Sequence, residues 1–313
     1  MIDVSVVIVN WNTKELLSNC LTSLREHTAG ITLEIFVVDN GSTDDSVEMV
    51  WAEFPEVEVI ENGRNLGFAR ANNMALRRAS GRYLLLLNSD TVVREGALEG
   101  LVATMDNDPE IGIAGLQLLN GDGSLQNSIS SMPSLLTELG NKSLLRLLLP
   151  SRYPGKEHRF SAPVTVDSVI GACLMARGEA AEAVGLLDED FFFFLEETDW
   201  CLRMKKAGWK VVHDPRHTIY HLQGKSAGKV NVRARIEYWR SRYTFFRKHY
   251  GGATRLVLRA GLMVKLSVNL IFSFLVNVLS FFTLPGMRGK LAVYGGVFAW
   301  HLRGCPGDGG LER

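Results

Sequence analysis

The chain has 313 residues, 34 Lys or Arg against 34 Asp or Glu, and 46% hydrophobic residues, which excludes a disordered or polycationic protein. That length supports a sizeable core in one large domain or two. Cys20, Cys173, Cys201 and Cys305 form no C-x-x-C pair, so neither a disulfide framework nor a thiolate zinc site is expected, and a reducing cytosol fits. Met1 leads straight into an apolar run, so no cleavable signal peptide is expected.

Strand and helix signals alternate over the first 118 residues. Val4–Val9 predicts a buried strand, and 14–25 a helix with Leu16, Leu17, Cys20, Leu21 and Leu24 at helical spacing. Residues 34–38 predict a second strand, followed by a helix capped by Ser42 or Thr43 and running to about Trp51. Further strands are expected at 57–60, 83–87 and 111–116, with helices at 66–79 and 96–105. This alternation implies a mostly parallel sheet with helices on both faces. Residues 119–165, rich in Gly, Ser and Pro, predict loops and short helices, with 135–149 the most helical part. Strand signal returns at 164–175, a helix at 177–184, a second helix after Phe191–Phe194 through Ala207, and a strand at 209–213.

The zero net charge conceals an asymmetry: residues 203–259 carry fifteen Lys or Arg against two acids, Asp214 and Glu237. Such a stretch favours phosphate-rich partners. Next to it, 266–284 is free of charge, about 28 Å long as a helix against a ~30 Å hydrocarbon core. Asn269 and Asn277 interrupt it, so a helix in or dipping into the cytoplasmic leaflet, a span, and a core helix all remain open. Cations beside an apolar tail argue against nucleic acid as the partner.

Acid-bearing or Asn-bearing turns recur at the ends of predicted elements. Val37-Val38-Asp39-Asn40-Gly41-Ser42 ends the second strand. Asn65-Leu66-Gly67-Phe68-Ala69 follows the third and offers backbone N–H groups near a helix start, suited to an anion. Four leucines end in Asn88-Ser89-Asp90, which would place a hard oxygen ligand at the carboxyl edge of the sheet. Glu196-Glu197-Thr198-Asp199 opens a later helix, where acids also suit the helix dipole.

In order, V-S-V-V-I-V-N-W-N, V-V-D-N-G-S-T-D, N-L-G-F-A-R-A-N-N, L-L-L-L-N-S-D-T, G-A-C-L-M-A-R and F-F-F-F-L-E-E-T-D-W-C-L-R resemble family 2 inverting glycosyltransferases over residues 3–250. Within them the chain is most similar to the bacterial rhamnosyltransferase-like branch that builds surface polysaccharides. The resemblance implies a GT-A fold (α/β, Rossmann-like), a nucleoside-diphosphate sugar donor with dTDP-rhamnose favoured, and Mg²⁺ or Mn²⁺. By position, Asp39 matches the acid at the donor's base with Asn10 beside it, and Asn65 belongs to the donor loop. Asp90 matches the last acid of the D-x-D motif, with Asn88 where many relatives have the first Asp. His221, in His-Leu-Gln-Gly-Lys-Ser, matches a position near metal and diphosphate. Glu197 aligns with the catalytic base, normally Asp; Glu196 and Asp199 are the alternatives. Phe191–Phe194 and Trp200 are expected to frame the acceptor.

The organisation so implied is a nucleotide-sugar-binding half (1–118), an acceptor and catalytic half (119–250) and a basic, apolar, membrane-associating helical tail (251–313). The acceptor would be a saccharide or a polyprenyl-pyrophosphate-linked saccharide, and the location the cytoplasmic face of the cell membrane. A catalytically silent GT-A domain acting as a membrane-associated binding or assembly partner is the alternative.

Overall fold

A computed structural model describes residues 1–150, 152–153, 159–222, 232–307 and 310–311. In chain order the elements are β1 (Val4–Asn10), α1 (Lys14–His27), β2 (Leu33–Asp39), α2 (Ser46–Glu53), β3 (Glu58–Glu61), α3 (Phe68–Leu76), β4 (Tyr83–Asn88), β5 (Thr91–Val92), α4 (Ala97–Asn107), β6 (Ile111–Leu119) and β7 (Ile129–Ser130). There follow α5 (Leu135–Leu139), α6 (Lys142–Leu148), β8 (Val164–Thr165), β9 (Ser168–Val169), β10 (Cys173–Arg177), α7 (Gly178–Val184), α8 (Glu196–Lys206), β11 (Lys210–His221), α9 (Val232–His249), α10 (Gly252–Leu279) and α11 (Pro285–Leu302).

The main sheet runs β3-β2-β1-β4-β10-β6-β11-β5, with β8 also on β11. Strands β1 to β4 pair in parallel, as the alternation predicts, and so do β6 and β11. The departure is β10, which lies antiparallel between β4 and β6. Alternate residues of each central strand feed two cores. Val4, Val6, Ile8, Leu85 and Leu87 pack with Leu17, Leu24 and Leu101 on one face. Val7, Leu84 and Leu86 pack with Ala71, Ala75, Trp200 and Met204 on the other. Period-two burial on both faces explains why these strands are continuous apolar runs.

Several boundaries move for local reasons. Helix α2 starts at Ser46, not after Ser42 or Thr43, because Asp45 adopts left-handed φ (+57°) and Asp44 accepts from the Ser46 N–H at 3.3 Å. The helical signal at 135–149 splits at Gly140 into α5 and α6. The strand expected at 209–213 extends to His221 as β11, with a register irregularity between Asp214 and Thr218 that accommodates Pro215. There Thr104 Oγ1 donates to the fully buried Asp214 at 2.5 Å, and Arg216 pairs with the same carboxylate at 2.7 Å. The uncharged run 266–284 is not one helix. Helix α10 closes at Leu279, Phe281 and Phe282 take positive φ, and Pro285 opens α11, which the pyrrolidine ring suits at a first helical position.

Two compact units emerge: residues 1–132, 150–192 and 196–224 form one, and 133–149, 193–195 and 225–313 the other. The expected boundary at 118/119 falls inside β6, and α9 groups with the tail helices, which divides the chain differently from the three expected segments. All four cysteines are free thiols.

His213 of β11 is buried, and desolvation lowers its pKa from 6.5 to about 4. Below pH 6.5 the unfolded chain therefore takes up a proton that the folded chain refuses until about pH 4, so stability is full above 6.5 and falls between the two values. His213→Leu should remove this share: on going from pH 7 to 5, wild type should lose on the order of 2 kcal/mol more than the variant in urea unfolding. Parallel losses would assign the pH dependence elsewhere.

Candidate functional site

The parallel strands deliver their C-terminal residues to one edge. Asn10 and Asp39 end β1 and β2 in direct register. Asn10, fully buried, donates from Nδ2 to Asp39 Oδ1 at 3.0 Å and to Ser42 Oγ at 3.1 Å. The other Asp39 oxygen accepts the N–H groups of Gly41 (3.0 Å) and Ser42 (2.8 Å). Asp39 thus spends three acceptor positions closing the β2 turn and retains one lone-pair direction for a ligand. Thr13 Oγ1 lies 2.7 Å from Asn10 Oδ1, to which it donates, and 2.9 Å from Ser89 Oγ, linking the β1 and β4 ends. Trp11, at the same edge, is 47% exposed and was not singled out from the sequence, where a lone Trp after a strand gives no signal.

Asn65 and its loop behave differently from the expected anion cradle. Asn65 Oδ1 accepts the Gly67 N–H at 2.9 Å, Asn40 Oδ1 accepts the Leu66 N–H at 3.4 Å, and the Phe68 N–H donates to Phe192 O at 2.7 Å. These donors are satisfied inside the protein, so the loop is a brace. Gly67 makes this possible: its φ is +83°, and a Cβ would lie 2.4 Å from Phe192 O.

At the end of β4, the Asn88 N–H donates to Ala172 O at 3.0 Å and Asn88 Nδ2 lies 3.4 Å from His221 Nε2. Asp90 Oδ1 stands 3.2 Å from the same Nε2. The short pairing of β5 with the end of β11, together with the Leu222 N–H donating to Asp90 O at 2.8 Å, holds His221 there. Behind the ring, Nδ1 is 2.6 Å from Gln126 Oε1, while Gln126 Nε2 donates to Asn120 Oδ1 and His221 O. Those two donations assign the amide, so Nδ1 carries a proton toward Gln126. Nε2 on the other side of the ring faces both the Asp90 carboxylate and the Asn88 side-chain amide. Gln126 lies in a loop-rich segment whose pairing with His221 spans 95 positions, and no local sequence signal marks it. Residues Gln223–Ser226 of the His221 motif lie outside the described residues.

The three candidate acids separate at the start of α8. Asp199 is fully buried and paired to Arg203 Nε at 2.8 Å; Arg203 in turn donates to the carbonyls of Val184, Gly185 and Leu186. That carboxylate anchors the 184–186 turn. Glu196 is buried. Glu197 is half-buried and packs on the turn before β10: a Cβ on Gly171 would be 3.5 Å from its Cβ, next to the Ala172 carbonyl that holds Asn88. Trp200, expected at the acceptor, is fully buried and donates to Gly185 O at 2.8 Å, so it is core. Phe191 and Phe192 are buried as well, while Phe193 and Phe194 group with the second unit.

No group of three or more His, Cys, Asp or Glu side chains converges as a metal cage among the described residues. Asp90 and His221, one hard oxygen and one imidazole nitrogen aimed at each other, nevertheless fit two ligand positions of a divalent ion whose remainder a diphosphate and water would fill.

Residues 5–185 match the family described as glycosyl transferase family 2. The chain belongs to that family. It is 28% identical over 289 residues to the N-acetylglucosaminyl-diphospho-decaprenol L-rhamnosyltransferase of Mycobacterium tuberculosis, covering 84% of this chain and 93% of the relative. It is 27% identical over 232 residues to the dTDP-rhamnosyl transferase RfbF of Shigella flexneri, covering 73% and 72%. Among solved structures it resembles the mannosyltransferase PcManGT of Pyrobaculum calidifontis in complex with GDP-Man and Mn²⁺ (TM-score 0.58, 17% identity, 96% of this chain and 86% of that one). It also resembles GalNAc-T7 with UDP, GalNAc and Mn²⁺ (TM-score 0.55, 19% identity, 71% and 44%). At these identities the structures establish the fold, and it is GT-A, as expected from the sequence.

Gly67→Ala should destabilise this family 2 glycosyltransferase by roughly 1–3 kcal/mol, through positive φ and the clash with Phe192 O. Gly63→Ala, at φ +65° with nothing within 4 Å, should cost about 1 kcal/mol or less. Equal thermal shifts in the two variants would mean that the Phe192 contact contributes nothing.

Proposed function

We propose that the protein is an inverting glycosyltransferase that moves a sugar, L-rhamnose favoured, from a nucleoside-diphosphate donor such as dTDP-rhamnose to a hydroxyl of a saccharide carried on polyprenyl pyrophosphate, at the cytoplasmic face of the cell membrane. The convergence of Asn10, Asp39, Asn88, Asp90 and His221 on one sheet edge, with Glu197 packed on the Gly171-Ala172 turn that holds Asn88, carries this reading. The names of the two rhamnosyltransferase relatives support the sugar, and that of the mycobacterial one a lipid-linked acceptor. Helix α10, the one described helix long and apolar enough to cross a membrane by length and composition, supports a membrane location.

In this reading Asp39 uses its remaining lone pair on the nucleoside, and Trp11 offers an aromatic face at the same rim. Asp90 and His221 hold Mg²⁺ or Mn²⁺, which when bound offsets the negative charge of the diphosphate. Gln126 fixes the ring orientation of His221. Glu197 takes the proton of the acceptor hydroxyl as its oxygen attacks the anomeric carbon. The bond from that carbon to the diphosphate oxygen breaks with the electron pair leaving on the nucleoside diphosphate, and attack from the opposite face inverts the centre. Glu197 is preferred to Asp199 because the Arg203 pair commits Asp199 to the fold, and to Glu196 because it is the more accessible of the two glutamates.

Glu197→Gln should leave nucleoside-diphosphate binding intact and lower sugar transfer roughly 10²-fold or more. Transfer at the wild-type rate would remove Glu197 from the mechanism. If wild type releases nucleoside diphosphate from no member of a nucleotide-sugar panel, the catalytically silent alternative stands. His221→Ala should weaken Mn²⁺ binding roughly tenfold or more in the presence of dTDP, read by electron paramagnetic resonance independently of turnover. Unchanged Mn²⁺ affinity would exclude His221 as a ligand.

A further inference from the structure

Beyond Leu266, helix α10 reverses the usual polarity of a helix in water. The residues it buries include Ser273 and Asn277 beside Leu258, Leu262 and Leu266, and Asn277 is 0% exposed, its Nδ2 donating to Ser273 O at 2.7 Å. The opposite face carries Val264, Val268, Ile271, Phe272, Leu275 and Leu279, each between 51% and 81% exposed. A soluble helix presents the opposite arrangement, polar outward and apolar inward. An apolar face free of charge from Leu266 to Leu279 marks contact with something other than water.

The surrounding charge identifies the partner. From Tyr238 to Gly307 there is no Asp or Glu, while Arg247, Lys248, Arg255, Arg259, Lys265, Arg288, Lys290 and Arg303 fall in that interval. A protein groove lined with acids would answer some of this charge but not a continuous apolar face; an anionic leaflet answers both. By length and composition α10 as a whole could cross, but the placement of its charges disfavours it. The charge-free part of α10, 266–279, is about 21 Å long at 1.5 Å per residue, short of the ~30 Å core. The chain then turns at 280–284 and returns as α11, whose first turns carry the exposed Arg288 and Lys290. Inserting that turn end-on would take two cations deep into hydrocarbon.

We infer that α10 lies in the plane of one anionic leaflet, its Val264–Leu279 face among the acyl chains and Arg288 and Lys290 at headgroup level, while Lys265 is held by the Glu138 carbonyl at 3.0 Å. This rests on the membrane location proposed above and specifies its mode: peripheral and in-plane, with salt-sensitive attachment. The turn residues Phe281 and Phe282 sit at the same depth as the helix.

The test uses the full chain and vesicles of phosphatidylcholine alone or with phosphatidylglycerol. Flotation should require phosphatidylglycerol and weaken with salt. Phe272→Glu with Leu275→Glu, both exposed positions, should lower partitioning roughly tenfold or more while leaving the circular dichroism spectrum unchanged. Environment-sensitive labels at Val268→Cys and Phe281→Cys, each with Cys305→Ser, should report one shallow depth and be quenched by iodide added outside. A Phe281 label quenched only from the vesicle interior would overturn the in-plane mode while leaving the membrane location standing. Absence of flotation with any vesicle would overturn both, and a dimer abolished by the double variant would assign the face to a second copy of the chain.

Discussion

The site depends on one topological feature, the antiparallel strand β10 wedged between the parallel strands β4 and β6. Because it runs against β4, its entry turn, Gly171-Ala172, arrives at the carboxyl end of β4. There the Ala172 carbonyl takes the Asn88 N–H, and Glu197 packs against Gly171. A parallel strand would have brought its exit to that edge and its entry turn to the far side of the sheet. The reversal thus joins the Asn88–Asp90 corner to an acid more than a hundred positions downstream. β11 completes the corner, returning to parallel pairing with β6 and carrying His221 past the sheet's end to meet β5.

What was legible in the sequence follows from the range of the physics involved. The apolar runs 4–9, 34–38 and 83–87 expose their burial locally, so the parallel half and the alignment of Asn10, Asp39 and Asn88 on one edge could be read from the sequence. Interactions closed over long separations could not. Gln126 reaches His221 across 95 positions, and Thr13 meets Ser89 across 76. The direction of β10 was also invisible, since an apolar strand reads the same in either orientation. The family resemblance pointed to Glu197 but left the base open among Glu196, Glu197 and Asp199.

Two sequence signals of the same kind had opposite meanings. Trp200 and Asp199, adjacent to the proposed base, look like site residues because they are large or charged. Both are buried to hold the 184–186 turn, through Trp200 Nε1 on Gly185 O and the Asp199–Arg203 pair. A carboxylate with no exposure and an Arg partner would leave an uncompensated buried charge if it moved, so its energetics favour rigidity over proton exchange. The Asn65 loop makes the same point with backbone groups: donors that an anion would need are consumed by Asn40, Asn65 and Phe192.

Charge segregation bears on the proposed cation. Residues 1–214 carry 18 Lys or Arg and 31 Asp or Glu, while 215–313 carry 16 and 3. The half that would receive a diphosphate is therefore acidic, and several of its arginines are spent in ion pairs: Arg70 and Arg77 on Glu189, Arg82 on Asp3 and Asp106, Arg203 on Asp199. An acidic scaffold repels a diphosphate unless positive charge is imported at the point of contact. In the proposed reading Asp90 facing His221 at 3.2 Å is where that charge would enter, since a carboxylate oxygen and an imidazole nitrogen are both suited to a divalent cation. In the proposed reading, the acidity that makes the first half a poor phosphate binder by itself is the same property that would suit it to a divalent cation, with the donor's own oxygens completing the site.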